Sequence, residues 1–151
     1  MDSKEMNIGR AGEHLVIYDL LSKGYKCYMT EAGLNYDVVI DLEGRLIRLQ
    51  VKTTQKPMCL SQKYKTTTYL FHVRRSGKGG KRVYSIGEFE GFALVAMDTK
   101  SVYYYPFTER ITKTLILRDS RQRNNYMQNR GKLAPYIEEF TLERFLLCGK
   151  S

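Results

Sequence analysis

Glu13, Asp37 and Lys52, with Gln50 two positions before the lysine, are residue types that can act together on a phosphate ester. Cleaving a phosphodiester requires a divalent metal held by oxygen ligands, a water made nucleophilic, and positive charge facing the pentavalent phosphate. Asp37 and Glu13 can supply the oxygens, while the Lys52 ammonium can polarise the attacking water or stabilise the phosphorane. A hard cation such as Mg²⁺ prefers such a set and usually keeps several waters. Each residue has an ordinary explanation when taken singly: a turn aspartate, a solvated edge lysine, an exposed helix glutamate. Together, in the order helix Glu, strand Asp, strand Lys, they favour the chemical reading.

The elements that must position these residues are legible. From Asn7 to Ser22 the apolar residues Ile8, Ala11, Leu15, Val16 and Leu20 recur at helical spacing, and Gly24 stops the run; Glu13 lies within this helix. Lys26 to Thr30 is a short strand, Asp37 to Leu42 a better one through Val38, Val39 and Ile40, and Arg45 to Thr53 returns across a tight turn at Asp41-Leu42-Glu43-Gly44. In the returning strand the side chains alternate, so Arg48, Gln50 and Lys52 share one face and Leu49 and Val51 the other. Gln50 and Lys52 are then ~6.6 Å apart along the strand. With the turn near Glu43, Asp37 falls opposite Leu49 or Gln50. A carboxylate, an amide and an ammonium converge.

Further along, Thr68 to Arg75 and Lys81 to Ile86 flank the Gly-rich, basic SGKGG stretch and predict a second hairpin. Gly91 to Asp98 and Ser101 to Pro106 predict an antiparallel pair about a turn at Thr99-Lys100, and Thr114 to Asp119 a further strand. Arg121 to Lys132 is polar and basic without periodicity, hence a loop. Thr141 can cap a short C-terminal amphipathic helix.

GRAGEHLVIYDLLSKGY, then YDVVID, then LQVKTT resemble the PD-(D/E)XK nuclease superfamily, and GFALVAMDTKSVYYYP resembles the strand pair that follows the motif in several small members. The resemblance covers roughly residues 7–106. It implies an α/β fold: a mixed central β-sheet flanked by helices, the restriction-endonuclease-like core, with extended DNA-binding loops or a hairpin. It also implies that Glu13, Asp37 and Lys52 match the family's helix carboxylate, first motif acid and motif lysine. Gln50 departs from the pattern, standing where the family usually has Asp or Glu, and so removes one negative charge from the metal site. That departure fits a dead nuclease that only binds DNA, because an amide is the weaker Mg²⁺ ligand. It equally fits a variant working with Glu13, Asp37 and the backbone carbonyl of Val51. The Q-x-K motif, the length and the basicity are similar to homing endonucleases of this superfamily encoded in cyanobacterial group I introns. That likeness implies an active enzyme cutting a long, specific tRNA-gene target, as a homotetramer in which one dimer grips double-stranded DNA.

Composition agrees with a polyanionic partner. The 151 residues suit one domain over 1–151, 42% hydrophobic content suffices for a core, and 25 Lys plus Arg against 16 Asp plus Glu leave a net charge of +9. Lys and Arg gain affinity for nucleic acid by releasing condensed counterions, although charge alone does not distinguish a nucleic-acid binder from any other basic protein. Cys27, Cys59 and Cys148 lack zinc-type spacing and read as free thiols. With neither an apolar leader nor a membrane-length apolar run, the expectation is a soluble, cytoplasmic protein.

A small enzyme reading many base pairs needs basic elements reaching into the grooves. Arg74, Arg75, Lys78, Lys81 and Arg82 form one candidate arm, since a two-stranded ribbon fits the major groove. Arg118, Arg121, Arg123, Asn124, Asn125, Gln128 and Arg130 form a second, with amides suited to adenine. Lys56, Lys63 and Lys65 are candidates for phosphate contacts, which position without specifying. Tyr64 and Tyr84 are candidate exposed base-stacking rings, whereas one ring of Tyr103-Tyr104-Tyr105 should be core or subunit interface. His14, about 100° round the helix from Glu13, is left out of the site. Two other activities share these features: a non-catalytic DNA- or RNA-binding module of the same fold, and a Holliday-junction resolvase, against which the two basic arms favour duplex reading.

Overall fold

A computed structural model describes residues 3–59, 67–74, 83–111, 113–120 and 134–148. Helix α1 spans Lys4–Ser22 and begins one turn before the apolar periodicity starts, because Ser3 caps it: the Ser3 hydroxyl accepts the Met6 N–H at 3.2 Å. The buried stripe of α1 is narrow, consisting of Gly12, Val16 and Leu20 at four-residue spacing. The chain then passes through Gly24, at φ 86°, into strand β1, Lys26–Met29.

Strands β2, Val38–Leu42, and β3, Arg45–Thr54, form the expected hairpin, with Leu42 paired to Arg45 and Gly44 turning at φ 86°. Strands β6, Gly91–Ala96, and β7, Ser101–Pro106, form the second expected antiparallel pair. The five make one mixed sheet in the order β1-β2-β3-β6-β7, antiparallel throughout except where β3 runs parallel to β6. All six residues of β6 are buried, as befits a central strand covered on both faces.

One face is covered by helices. Val16 and Leu20 of α1, with Leu142 and Phe145 of α2 (Leu142–Cys148), pack on Val38, Ile40, Ile47, Leu49, Val51, Ala93 and Val95. Thr141 caps α2 as expected, its hydroxyl accepting the Arg144 N–H at 3.2 Å. On the other face lies a three-stranded antiparallel sheet, ordered β4-β5-β8: Met58–Cys59, Thr67–His72 and Thr114–Arg118. Its Tyr69, Phe71, Leu115 and Leu117 join Phe92, Leu94, Tyr84 and Phe89 in a second core. Among the described residues no helix is long and apolar enough to cross a membrane, and Cys27, Cys59 and Cys148 form no disulfide.

The expected hairpin between Thr68–Arg75 and Lys81–Ile86 is corrected. The first half is a strand, but it pairs with β4 and β8, while residues 83–86 are not in a strand. The reason is aromatic packing: Tyr84 turns inward against Phe89 and Phe92 with ring centroids 5.0 and 6.3 Å away, so this stretch serves as core filling.

Candidate active site

Asp37 immediately precedes β2, and its backbone is held from both sides. Its N–H donates to the Leu49 carbonyl at 2.9 Å, and its carbonyl accepts the Thr30 N–H at 3.0 Å. Because Val38 pairs with Leu49, Asp37 stands opposite Gln50. The β2 ladder stops there, leaving the Val51 N–H without a strand partner on that edge. The Asp37 carboxylate takes its place, accepting the Val51 N–H at 2.9 Å. Backbone groups alternate in direction along β3: the Arg48 and Thr54 carbonyls face the β6 side, accepting from Glu90 and Met97, whereas the Leu49 carbonyl faces β2. The Val51 carbonyl therefore points from the same edge as its N–H, toward Asp37.

Glu13 reaches this edge because α1 lies very close to β3. A Cβ added at Gly12 would overlap the Thr53 hydroxyl and lie 3.1 Å from the Thr53 Cβ, so only glycine permits this approach. Glu13, one residue on, is brought within electrostatic reach of Asp37. Burial raises its pKa first and the Asp37 charge raises it further, with Arg10 opposing. Burial likewise raises Asp37, opposed by the Val51 N–H and the Lys52 charge.

Lys52 leaves the opposite face of β3, where Gln50 and Lys52 align with Phe92 and Leu94 of β6. Burial lowers its pKa and the Asp37 charge opposes that shift. Its Nζ donates to the Tyr84 hydroxyl at 3.1 Å and to the Arg74 carbonyl at 3.4 Å, and lies 5.2 Å from the Tyr84 ring centre. Glu13, Asp37, Gln50, Val51 and Lys52 line one cleft of about 700 Å³, with Glu5, Lys56 and His72 on its walls.

Such an arrangement puts two carboxylates, an amide, a backbone carbonyl edge and an ammonium around one open space, the donor set of a phosphodiester-cleaving site. The profile of the PD-(D/E)XK endonuclease family matches residues 1–141. The chain belongs to the PD-(D/E)XK endonuclease family. Membership supports a nuclease function, in a family that generally uses divalent metal ions. Among solved structures it resembles that of a bacterial homing endonuclease, I-Ssp6803I, with a TM-score of 0.64 and 19% sequence identity, over 99% of this chain and 94% of that one. Sequence comparison with curated proteins yields no match. The likeness to the solved structure shows the restriction-endonuclease-like fold that the sequence motifs imply.

The structure brings Glu13, Asp37, Gln50 and Lys52, the residues that the PD-(D/E)XK pattern singles out, to one cleft, and it adds the Tyr84 hydroxyl and the Arg74 carbonyl as neighbours of Lys52. Nothing in the local sequence marks either as a neighbour of Lys52, since both come near it only through packing between β3 and the second core. Tyr84 as an exposed stacking ring is corrected: it is 7% exposed, held edge-on by Phe89. Tyr104 is the core ring of its run, donating to the Asp19 carboxylate at 2.6 Å. Of the candidate DNA-binding residues, Lys56 is exposed on the cleft wall. Arg74 is half-buried, and the Arg118 guanidinium donates to the Ala134 carbonyl and lies 4.1 Å from the Tyr136 ring centre. Arg75, Lys78, Lys81, Arg82, Lys63, Lys65, Tyr64, Arg121, Arg123, Asn124, Asn125, Gln128 and Arg130 lie outside the described residues.

Proposed function

We propose that this nuclease is a sequence-specific, Mg²⁺-dependent homing endonuclease that cuts both strands of duplex DNA. The observation that carries the reading is the Asp37 carboxylate fixed on the Val51 N–H at 2.9 Å, in one cleft with Glu13, Gln50 and Lys52. The likeness to a homing endonuclease over 99% of the chain supports the biological role, and the net charge of +9 supports the substrate.

The donor chemistry fits a hard divalent cation. Asp37, Glu13 and the Val51 carbonyl offer oxygen only, and the Asp37 charge already raises Glu13, a repulsion that a bound cation relieves. The set is lean in charge: among the described residues there is no group of three His, Cys, Asp or Glu able to hold a metal, and Gln50 is the neutral member. These three oxygen donors would hold Mg²⁺, which when bound supplies a more acidic water and neutralises phosphate charge. The remaining work falls to the chain. The Val51 N–H fixes one Asp37 oxygen and leaves the other for the cation. Lys52 brings a positive charge and hydrogen-bond donors to the phosphate, and Gln50 lines the floor between them. The proposed assembly is a dimer gripping DNA within a homotetramer; the exposed apolar side chains of Tyr28, Leu34 and Leu46, which line one surface pocket, offer a surface for contact between copies.

A randomised duplex library incubated with Mg²⁺ tests this reading. Cleavage at defined sites leaving 5′-phosphates is expected, with Asp37→Asn and Lys52→Ala slowed at least about a hundredfold while still binding DNA. Wild-type protein that cuts nothing, or variants that cut like it, would sink the reading. Gln50 favours one second reading, a binding module that has lost metal affinity. The Gln50→Glu variant separates the two, because in an active enzyme with a lean site it should lower the Mg²⁺ concentration needed for cleavage.

A further inference from the structure

Lys52 sits in an unusual setting for a charge that has to face a phosphate. It rises from β3 beside Leu94 of β6, into the side of the sheet filled by the second core. Two oxygens within hydrogen-bond reach meet its ammonium there, the Tyr84 hydroxyl at 3.1 Å and the Arg74 carbonyl at 3.4 Å. The closer of these belongs to a side chain that cannot easily move. Tyr84 is 7% exposed, its ring 5.0 Å from Phe89 at 81° and 6.3 Å from Phe92 at 66°, and Phe92 is fully buried in β6. Phe89 in turn contacts Phe92 and Phe107 at 5.1 and 4.7 Å. The hydroxyl is the polar end of a packed aromatic cluster, met by the ammonium of a lysine that lines the cleft.

We propose that Tyr84 is a positioning residue for Lys52: its hydroxyl accepts a hydrogen bond from the ammonium and holds that charge at the one place where it can meet the scissile phosphate. Lysine carries a four-carbon stem with many rotamers, and a buried ammonium needs acceptors for its three donors. A fixed acceptor answers both needs. It selects one orientation before DNA arrives, and it satisfies one donor while leaving another for the substrate. The Arg74 carbonyl acts with it but is longer and belongs to the backbone, so Tyr84 is the part that substitution can remove. This inference rests on the nuclease reading above and adds to it a residue outside the family's acid and lysine pattern.

Tyr84→Phe keeps the ring and deletes the hydroxyl, and with it the acceptor for Lys52. On a duplex target recovered from the library, the expected result is a single-turnover cleavage rate about tenfold lower or less still, as suits a lost hydrogen bond to a charged group. DNA affinity measured in Ca²⁺ and the melting temperature should stay near wild type. Phe140→Leu is the packing control: it lies in the same core but stacks on Tyr105 rather than Tyr84, so it should lower the melting temperature yet leave the rate per folded molecule close to wild type. If wild type cuts and Tyr84→Phe cuts equally fast, the inference fails while the nuclease reading stands. If Phe140→Leu slows cleavage as much as Tyr84→Phe, general loosening of this core is at work and the hydroxyl has no positioning role. Wild-type protein that cuts no duplex overturns both.

Discussion

Asp37 shows how one residue's surroundings weigh against its own charge. Burial raises the carboxyl above its ordinary value, and the Val51 N–H and Lys52 only partly offset this; Glu13 is raised by burial and by Asp37. An acid raised in the folded state binds protons more tightly there than in the unfolded chain, so stability is fully present below about pH 4 and is lost as pH rises through the folded values. Without metal, Asp37→Asn should therefore melt higher than wild type at neutral pH, with the gap closing as pH falls toward about 4. Thermal melts in a chelator from acid to neutral pH check this, and a gap that widens in acid would contradict the assigned direction. Saturating Mg²⁺ should reverse the order, since only wild type retains the ligand. At this scale the candidate set Glu13, Asp37 and Lys52 was legible, because type and order single out residues that the fold brings to one cleft. Tyr84 was not, because its partner is 32 positions away and its own neighbourhood reads like a strand.

Elements bring these residues together through a close contact that one small side chain allows. Gly12 places α1 against Thr53 of β3, and Glu13 follows it to the Asp37 edge. Gly12→Ala should raise intrinsic helix propensity, ordinarily a gain of about 1 kcal/mol. Here the added Cβ meets the Thr53 hydroxyl with its Cβ and Cγ2 at 3.1 and 3.2 Å, so overpacking of about 1–3 kcal/mol outweighs that gain. The expected outcome is net destabilisation in urea melts together with slower cleavage, because Glu13 moves outward with the helix. Adding Thr53→Ala removes the hydroxyl and Cγ2 and should restore part of both. Rescue of stability without rescue of cleavage would mean that α1 does not set the Glu13 position. The β2-β3 and β6-β7 pairs could be read from sequence because their partners are adjacent and their turns carry signals, Gly44 at φ 86° and Lys100 at φ 52°. The β4-β5-β8 sheet could not: β4 is two residues long and β8 pairs with β5 from more than forty residues away. No local pattern specifies such a partner.

Over the whole molecule, charge and cleft act together. A net charge of +9 sets a general attraction to DNA, but which cations touch phosphate depends on where the fold puts them. Arg48 is spent internally, bridging Glu90 at 2.8 Å and stacking near Tyr36, and Lys23 bridges Asp19 at 2.9 Å. Lys56 differs from both: it is exposed and lines the cleft that holds Asp37 and Lys52, so duplex DNA entering that cleft passes it. A lysine on a backbone phosphate releases about 0.9 of a counterion from B-DNA and contributes no base discrimination. Lys56→Ala should accordingly weaken binding to specific and unrelated duplexes by the same factor and reduce the slope of log affinity against log salt by about one. Salt titrations of wild type and Lys56→Ala on both duplexes measure this directly. A Lys56→Ala slope equal to wild type would place the DNA path elsewhere, and a loss confined to the specific duplex would make Lys56 a reader of bases. An equal loss on both, with the shallower slope, would place the DNA backbone along this cleft.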